Sequence, residues 1–135
     1  MSDIHLRLRV GGEHYAMPIA CVEQVAELGV LSTVPGTGGA LLGVRNQHGQ
    51  VLPVFDLARV LGIAADASSP RVVVAEHEGC AAGLAVDEVV DIAALGDNLE
   101  QTDAELLSGA VLEDGHLIGI IDVTRLFDSL QREAV

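Results

Sequence analysis

Tryptophan and lysine are absent from the 135 residues, the aromatics are limited to Tyr15, Phe55 and Phe127, and only two cysteines and four prolines occur. With so few aromatics the core must be aliphatic, and a site that stacks bases or sugars is disfavoured. Without lysine, the Lys+Arg count of seven consists of arginines alone, scattered along the chain rather than clustered as binding to a phosphate backbone requires. Nucleic acid is therefore not an expected partner. Cys21 and Cys80 stand outside any CxxC or Cys/His ligand spacing, so both read as reduced core residues. No apolar run approaches the roughly 20 residues of a membrane helix, and no apolar h-region follows the first Met. Direct membrane insertion and export are not expected, which points to a cytoplasmic protein.

The chemistry of common active sites is missing too. No serine lies in a G-x-S-x-G elbow. The histidines His5, His14, His48, His77 and His116 never fall at the i, i+4 spacing of a helical metal site. The glycine-rich run Gly36 to Gly43 lacks the Lys-Ser/Thr ending of a phosphate loop. Neighbouring acids such as Glu76 and Glu78 are not set apart from the general acidity as a catalytic pair. No catalytic residue, metal ligand or cofactor is expected, and a binding module is the better reading.

What is present is apolar and acidic. Hydrophobic residues make up 50% of the chain, with mean hydropathy +0.42, net charge -13 and a pI near 4.4. That composition supports one folded domain with a sizeable core. Residues 1–60 hold four Arg and five acids, against three Arg and fifteen acids in 61–135, so the near-neutral half is the better docking surface. Ile4, Leu6, Leu8 and Val10 alternate with His5, Arg7 and Arg9, the period of a strand with one buried face. A return strand follows over His14 to Ile19. The Val22, Val25, Leu28 spacing suggests a short helical stretch beginning near Pro18, Pro53 suggests an edge strand or bulge, and 62–70 reads as a linker.

The second half of the chain repeats the first. Gly43, Gly49, Val51, Leu52, Val54, Phe55, Asp56, Leu57, Arg59 and Leu61 match Gly109, Gly115, Leu117, Ile118, Ile120, Ile121, Asp122, Val123, Arg125 and Phe127 at a constant offset of 66. Upstream, at an offset of 67, Gly12 matches Gly79, and Ile19, Val22 and Val25 match Val86, Val89 and Ile92. Two copies of one unit, about 4–61 and 71–127, are each near the size at which an independent core becomes marginal, so they are expected to share one. Val51, Val54 and Leu57, with their counterparts Leu117, Ile120 and Val123, are the expected core positions. Short strands with Gly turns point to an all-β fold of small barrels, with Asp56 and Asp122 capping the helical turns that follow their strands.

The run Gly43-Val44-Arg45-Asn46-Gln47-His48-Gly49-Gln50-Val51-Leu52-Pro53-Val54-Phe55-Asp56-Leu57 resembles the G-V-x-N-L-R-G-x-x-x-P-V-x-D-L signature of the CheW family of bacterial chemotaxis couplers. Tyr15-Ala16-Met17-Pro18-Ile19 with Val22 and Val25 is similar to that family's Y-A-V-P-I-x-x-V-x-E-I segment, and Gly83-Leu84-Ala85-Val86-Asp87 to its G-L-x-V-D. The resemblance covers essentially the whole chain. It implies two SH3-like five-stranded β-barrel lobes sharing a core, the first about 12–70 and the second about 71–135 with the N-terminal strand joining it.

It also implies a non-enzymatic adaptor that pairs with the regulatory domain of a CheA-type histidine kinase and takes a chemoreceptor's cytoplasmic tip, at receptor arrays on the inner membrane. The partner-binding positions carried over, or altered in place, are Val22, Gln24, Arg45, Asn46, Gln47, His48, Gly49, Arg71 and Ile92. Asn46 and Gly49 could equally make a plain turn. The family's Glu falls at Gln24 and its Arg at His48, a joint loss of acid and base that leaves no stranded charge. With Arg45 these departures suggest a specialised, non-flagellar or pilus-linked system. The competing reading is a small-molecule-binding barrel with the Gly36 to Gly43 loop and Cys21 lining its pocket.

Overall fold

The computed structural model describes residues 4–34, 39–63, 70–96 and 99–133. Ten strands and two helices follow in the order β1 (Ile4–Val10), β2 (Glu13–Pro18), β3 (Val22–Glu27), β4 (Leu41–Gln47), β5 (Gln50–Asp56), α1 (Leu57–Leu61), β6 (Arg71–His77), β7 (Cys80–Val86), β8 (Glu88–Ala94), β9 (Leu107–Glu113), β10 (His116–Ile121) and α2 (Val123–Glu133). They form two five-stranded sheets, β8-β1-β2-β10-β9 and β3-β6-β7-β5-β4. The fold is all-β with two SH3-like lobes, as the repeat and the resemblance led one to expect.

The lobes do not divide the chain at residue 70. The middle lobe takes β3 to β7, and the terminal lobe takes β1 and β2 from the start of the chain with β8 to β10 from its end. Each sequence copy therefore gives its first two strands to one lobe and its last three to the other. The seams between copies are the antiparallel pairs β1–β8 and β3–β6 and the short parallel pairs β5–β7 and β10–β2. Exchange of this kind leaves neither copy able to complete a sheet alone, which suits units too small to bury their own core.

Local chemistry explains the hairpins. Gly11-Gly12, His48-Gly49, Glu78-Gly79 and Asp114-Gly115 all have positive φ at both central residues, the geometry whose twist matches paired strands. The Asp-x-x-Arg units act as expected. Asp56 Oδ1 accepts from Ala58 N at 3.1 Å, and Asp122 Oδ1 accepts from Arg125 N at 3.1 Å. Arg59 in turn donates to Gly39 O and Arg125 to Glu105 O, tying each helix to the strand entry before it.

The shared core joins both lobes and both helices: Leu6, Leu8 and Met17 from the terminal lobe, Phe55, Val73 and Leu84 from the middle lobe, Leu57, Leu126, Phe127 and Leu130 from the helices. Two smaller clusters fill the lobes themselves, Ala16, Leu95, Val111, Ile118 and Ile120 in one and Leu52, Val54, Val72, Val74 and Ala85 in the other.

Several expectations need correction. Val51 and Leu117 are exposed at 73% and 61%, and Val54 and Ile120 sit in the lobe clusters rather than the shared core. The expected helix at Val22 to Leu28 is only a three-residue 3-10 turn, Ile19–Cys21, before strand β3. There Val22 and Leu28 are half-buried and Val25 points outward, so the spacing of three is not one stripe. Pro53 lies in an interior strand, but before the β5–β7 ladder begins at Val54, so its missing N–H costs no rung there. Cys80 is exposed. Cys21 is half-buried and donates to Pro18 O at 3.0 Å, and burial pushes its thiol up to about 11. Most of the expected linker, 64–69, lies outside the described residues.

One seam carries a titratable pair. The β10–β2 ladder has three register pairs, and beside it the rings of His14 and His116 stack with centroids 4.1 Å apart. Desolvation, then His116, Arg9 and Arg7, lower the pKa of His14 below 6.5, with Glu13 opposing. The unfolded chain then takes the proton first as pH falls, so stability is full above pH 6.5 and declines below it, down through the folded-state value. The melting temperature is expected to fall less between about pH 7.5 and 5.5 in His14→Gln than in the wild type. Equal slopes would remove His14 from the acid sensitivity.

Candidate functional site

Eight of the nine candidate positions lie in the middle lobe. Val22 and Gln24 are on β3, Arg45 to Gln47 on β4, His48 and Gly49 in the β4–β5 turn, and Arg71 at the start of β6. Ile92 stands apart on β8 of the terminal lobe, 61% exposed. It occupies the place in its copy that Val25, 43% exposed on β3, holds in the other. The same apolar edge position thus recurs once on each lobe.

The turn residues have visible structural work. Asn46 Oδ1 accepts from Gly49 N at 2.9 Å, and His48 holds a φ of 52°. Together they build the tight reversal that presents His48 to solvent. Arg45 donates through Nη1 to Glu27 O at 2.9 Å and to Leu28 O at 3.4 Å, joining β4 to the end of β3, the two outer strands of the middle sheet. Its guanidinium closes the lobe, a role that the Gly-Val-Arg sequence does not announce. Arg71 reaches Glu27 Oε1 at 3.5 Å between exposed side chains, an ion pair worth little in stability.

The expected replacement pair Gln24 and His48 is not joined by any hydrogen bond among the described contacts. Glu23 is the residue that feels His48. A bulge between Val22 and Gln24 leaves Glu23 outside the regular register of β3 with β6. A hydrogen bond with Glu76, which needs a proton on one of the two carboxyls, then desolvation and the charge of Glu76, raise the pKa of Glu23, while His48 opposes. Glu23, Gln47, His48, Gln50, Val51 and Ala81 border a cavity of about 270 Å³. Glu23 and Glu76 were not singled out from the sequence as a pair, because the bulge that faces them together leaves no mark in the residue pattern.

Cys21, placed in the wall of a pocket by the small-molecule reading, has its thiol engaged with Pro18 O and packs against the shared core. Residues 35–38 of the proposed lining loop lie outside the described residues. Among the described residues no group of three or more His, Cys, Asp and Glu could hold a metal ion. No helix among them is long and apolar enough to cross a membrane.

Two sheet edges are covered by single pairings, Ser32 with Val44 beside β4 and Glu100 with Ala110 beside β9. The opposite edges, β3 and β8, present Val25, Val90 and Ile92 outward. An open strand edge with apolar side chains is a ready template for another chain.

Comparison with known proteins agrees with the doubled lobes. The chain is 28% identical over 139 residues to "Chemotaxis protein CheW" of Rhizobium meliloti, covering 96% of this chain and 90% of that protein. It is 36% identical over 83 residues to "Protein PilI" of Pseudomonas aeruginosa, covering 60% of this chain and 47% of that one. The crystal structure of the scaffolding protein TtCheW from Thermoanaerobacter tengcongensis superposes with a TM-score of 0.84 at 27% identity, covering 94% of this chain and 88% of that one. A family model described as CheW-like domain matches residues 5–131, so the chain with this exchanged pair of lobes belongs to the CheW-like domain family.

Proposed function

We propose that the protein is a non-enzymatic adaptor of bacterial chemosensory signalling that couples chemoreceptors to a CheA-type histidine kinase. The observation that carries this reading is the recurrence of one apolar edge on both lobes, Val25 on β3 and Ile92 on β8, since two equivalent edges let one small chain bridge two partners. The kinase's regulatory domain meets the middle-lobe edge at Val25, and the receptor tip meets the surface that includes Val22, Gln24, Asn46, Gln47, His48, Gly49 and Arg71 of that lobe and Ile92 of the terminal lobe. The adaptor works in the cytoplasm at receptor arrays on the inner membrane. Likeness to Protein PilI as well as to CheW proteins, together with Gln24 and His48 at the family's Glu and Arg positions, supports service in a non-flagellar array.

Calorimetric titration with the regulatory domain of a CheA-type kinase encoded beside this protein tests the reading. Binding is expected to persist at high salt, because apolar burial rather than charge carries it. Val25→Asp is expected to weaken it at least tenfold, and the exposed Leu112→Ser to leave it unchanged. No heat at high micromolar concentrations would remove the adaptor reading.

A further inference from the structure

The sequence repeat allows the interior of one lobe to be compared with the other, position by position. In the middle lobe the filling is aliphatic: Val54 and Val72 are fully buried, with Leu28, Leu31 and Leu42 packed against them. At an offset of 67 the terminal lobe has His5 for Val72 and keeps Leu95 for Leu28. At 66 it has Ser108 for Leu42 and Ile120 for Val54. Two of the aliphatic plugs have become polar, and one of them has lost most of its volume. The residues at those four positions all border a cavity of about 370 Å³ in the terminal lobe, with Val111, Asp122 and Thr124 among the other residues of its wall. That volume lies within the ordinary range of small-molecule sites, and its mixture of an apolar floor with a few polar groups is the usual composition of one.

We propose that the terminal lobe binds a small amine with an apolar body in this cavity. The polar groups decide the head. Ser108 Oγ spends its proton on Ile120 O at 3.3 Å, which leaves its lone pairs to accept. Asp122 accepts from Arg125 N through Oδ1 and keeps Oδ2 at 3.7 Å from Arg125 Nε, so further acceptor capacity remains on its carboxylate. A donor head placed at the Ser108 and Asp122 side of the cavity meets acceptors, and a carboxylate head placed there would meet Asp122. The net charge of -13 further favours a cation over an anion near this surface. Leu95, Val111 and Ile120 receive the apolar body.

Benzylamine, benzyl alcohol and benzoate, followed by two-dimensional amide NMR on the full chain, supply the test. Benzylamine is expected to give saturable shifts confined to residues around Ser108, Val111 and Ile120, with benzyl alcohol weaker and benzoate without effect. Ser108→Leu restores the residue that fills the matching position of the middle lobe. It keeps the net charge, so nonspecific attraction of a cation survives in it. In that variant benzylamine affinity is expected to fall at least tenfold while the melting temperature rises. Unsaturated shifts scattered over the acidic surface, or the same affinity in Ser108→Leu, would overturn the proposal. The wild-type shift map decides by itself if the variant does not fold.

Discussion

Phe55→Ala is expected to destabilise the whole chain by about 3–5 kcal/mol, as one cooperative unit rather than as a loss from the middle lobe alone. Phe55 is only 2% exposed, and the cluster around it draws on β1 and β2 of the terminal lobe and on both helices. Deleting its ring removes buried apolar surface and leaves a cavity that the neighbouring strands, held by ladders on both sides, close only in part. Tyr15 provides the separate readout. It is the single tyrosine, there is no tryptophan, and it lies in the terminal lobe on β2. Urea unfolding followed by Tyr15 fluorescence and by far-UV circular dichroism is expected to give coincident transitions, both shifted to lower denaturant in the variant. A Tyr15 transition unmoved by Phe55→Ala would show that the lobes unfold independently and that the core is not shared.

Gly43→Ala is expected to cost about 1–3 kcal/mol, more than the same change at Gly109, its counterpart in the repeat. A Cβ at Gly43 would stand 2.6 Å from the backbone oxygen of Ser32, which accepts from Val44 N while Ser32 N donates to Val44 O. At Gly109 the nearest atom is Glu100 O at 3.0 Å, the equivalent contact made less tightly. A backbone carbonyl fixed in a bridge cannot step aside as the end of a flexible side chain can. Melting temperatures of the two variants measure the difference directly. If Gly109→Ala proves the more damaging, the close approach of the 32–44 bridge is not what requires glycine at the start of the family motif.

Some of the candidate site was readable without coordinates. The Asn-x-x-Gly turn of residues 46 to 49 and the Asp56 and Asp122 caps are local chemistry, complete within four residues, and they fold as read. Arg45 behaves differently. Its sequence position suggested a new partner contact, whereas its guanidinium spans from β4 to Glu27 O and Leu28 O, a closure that depends on where β3 ends in space. The joining of Glu23 to Glu76 depends likewise on a bulge, since alternation alone cannot say which of Glu23 and Gln24 faces the neighbouring strand.

Composition, alternation and the offset of 66 to 67 were sufficient to determine an aliphatic, acidic, all-β chain made of two copies of one hairpin-and-cap unit. Those properties are set by residue type and by spacing along the chain, which a linear pattern records. Only the tertiary structure decided that each copy is shared between lobes, with β1 and β2 completing one sheet and β6 and β7 the other. A strand's register with its own hairpin partner is fixed by a two-residue turn, but its choice between two nearly equivalent outer neighbours is not. That choice rests on the packing of the whole core. It is also why the face of β1 that carries His5 and Arg7 is not simply solvated, with the Arg7 side chain only 12% exposed and His5 bordering the cavity of the terminal lobe.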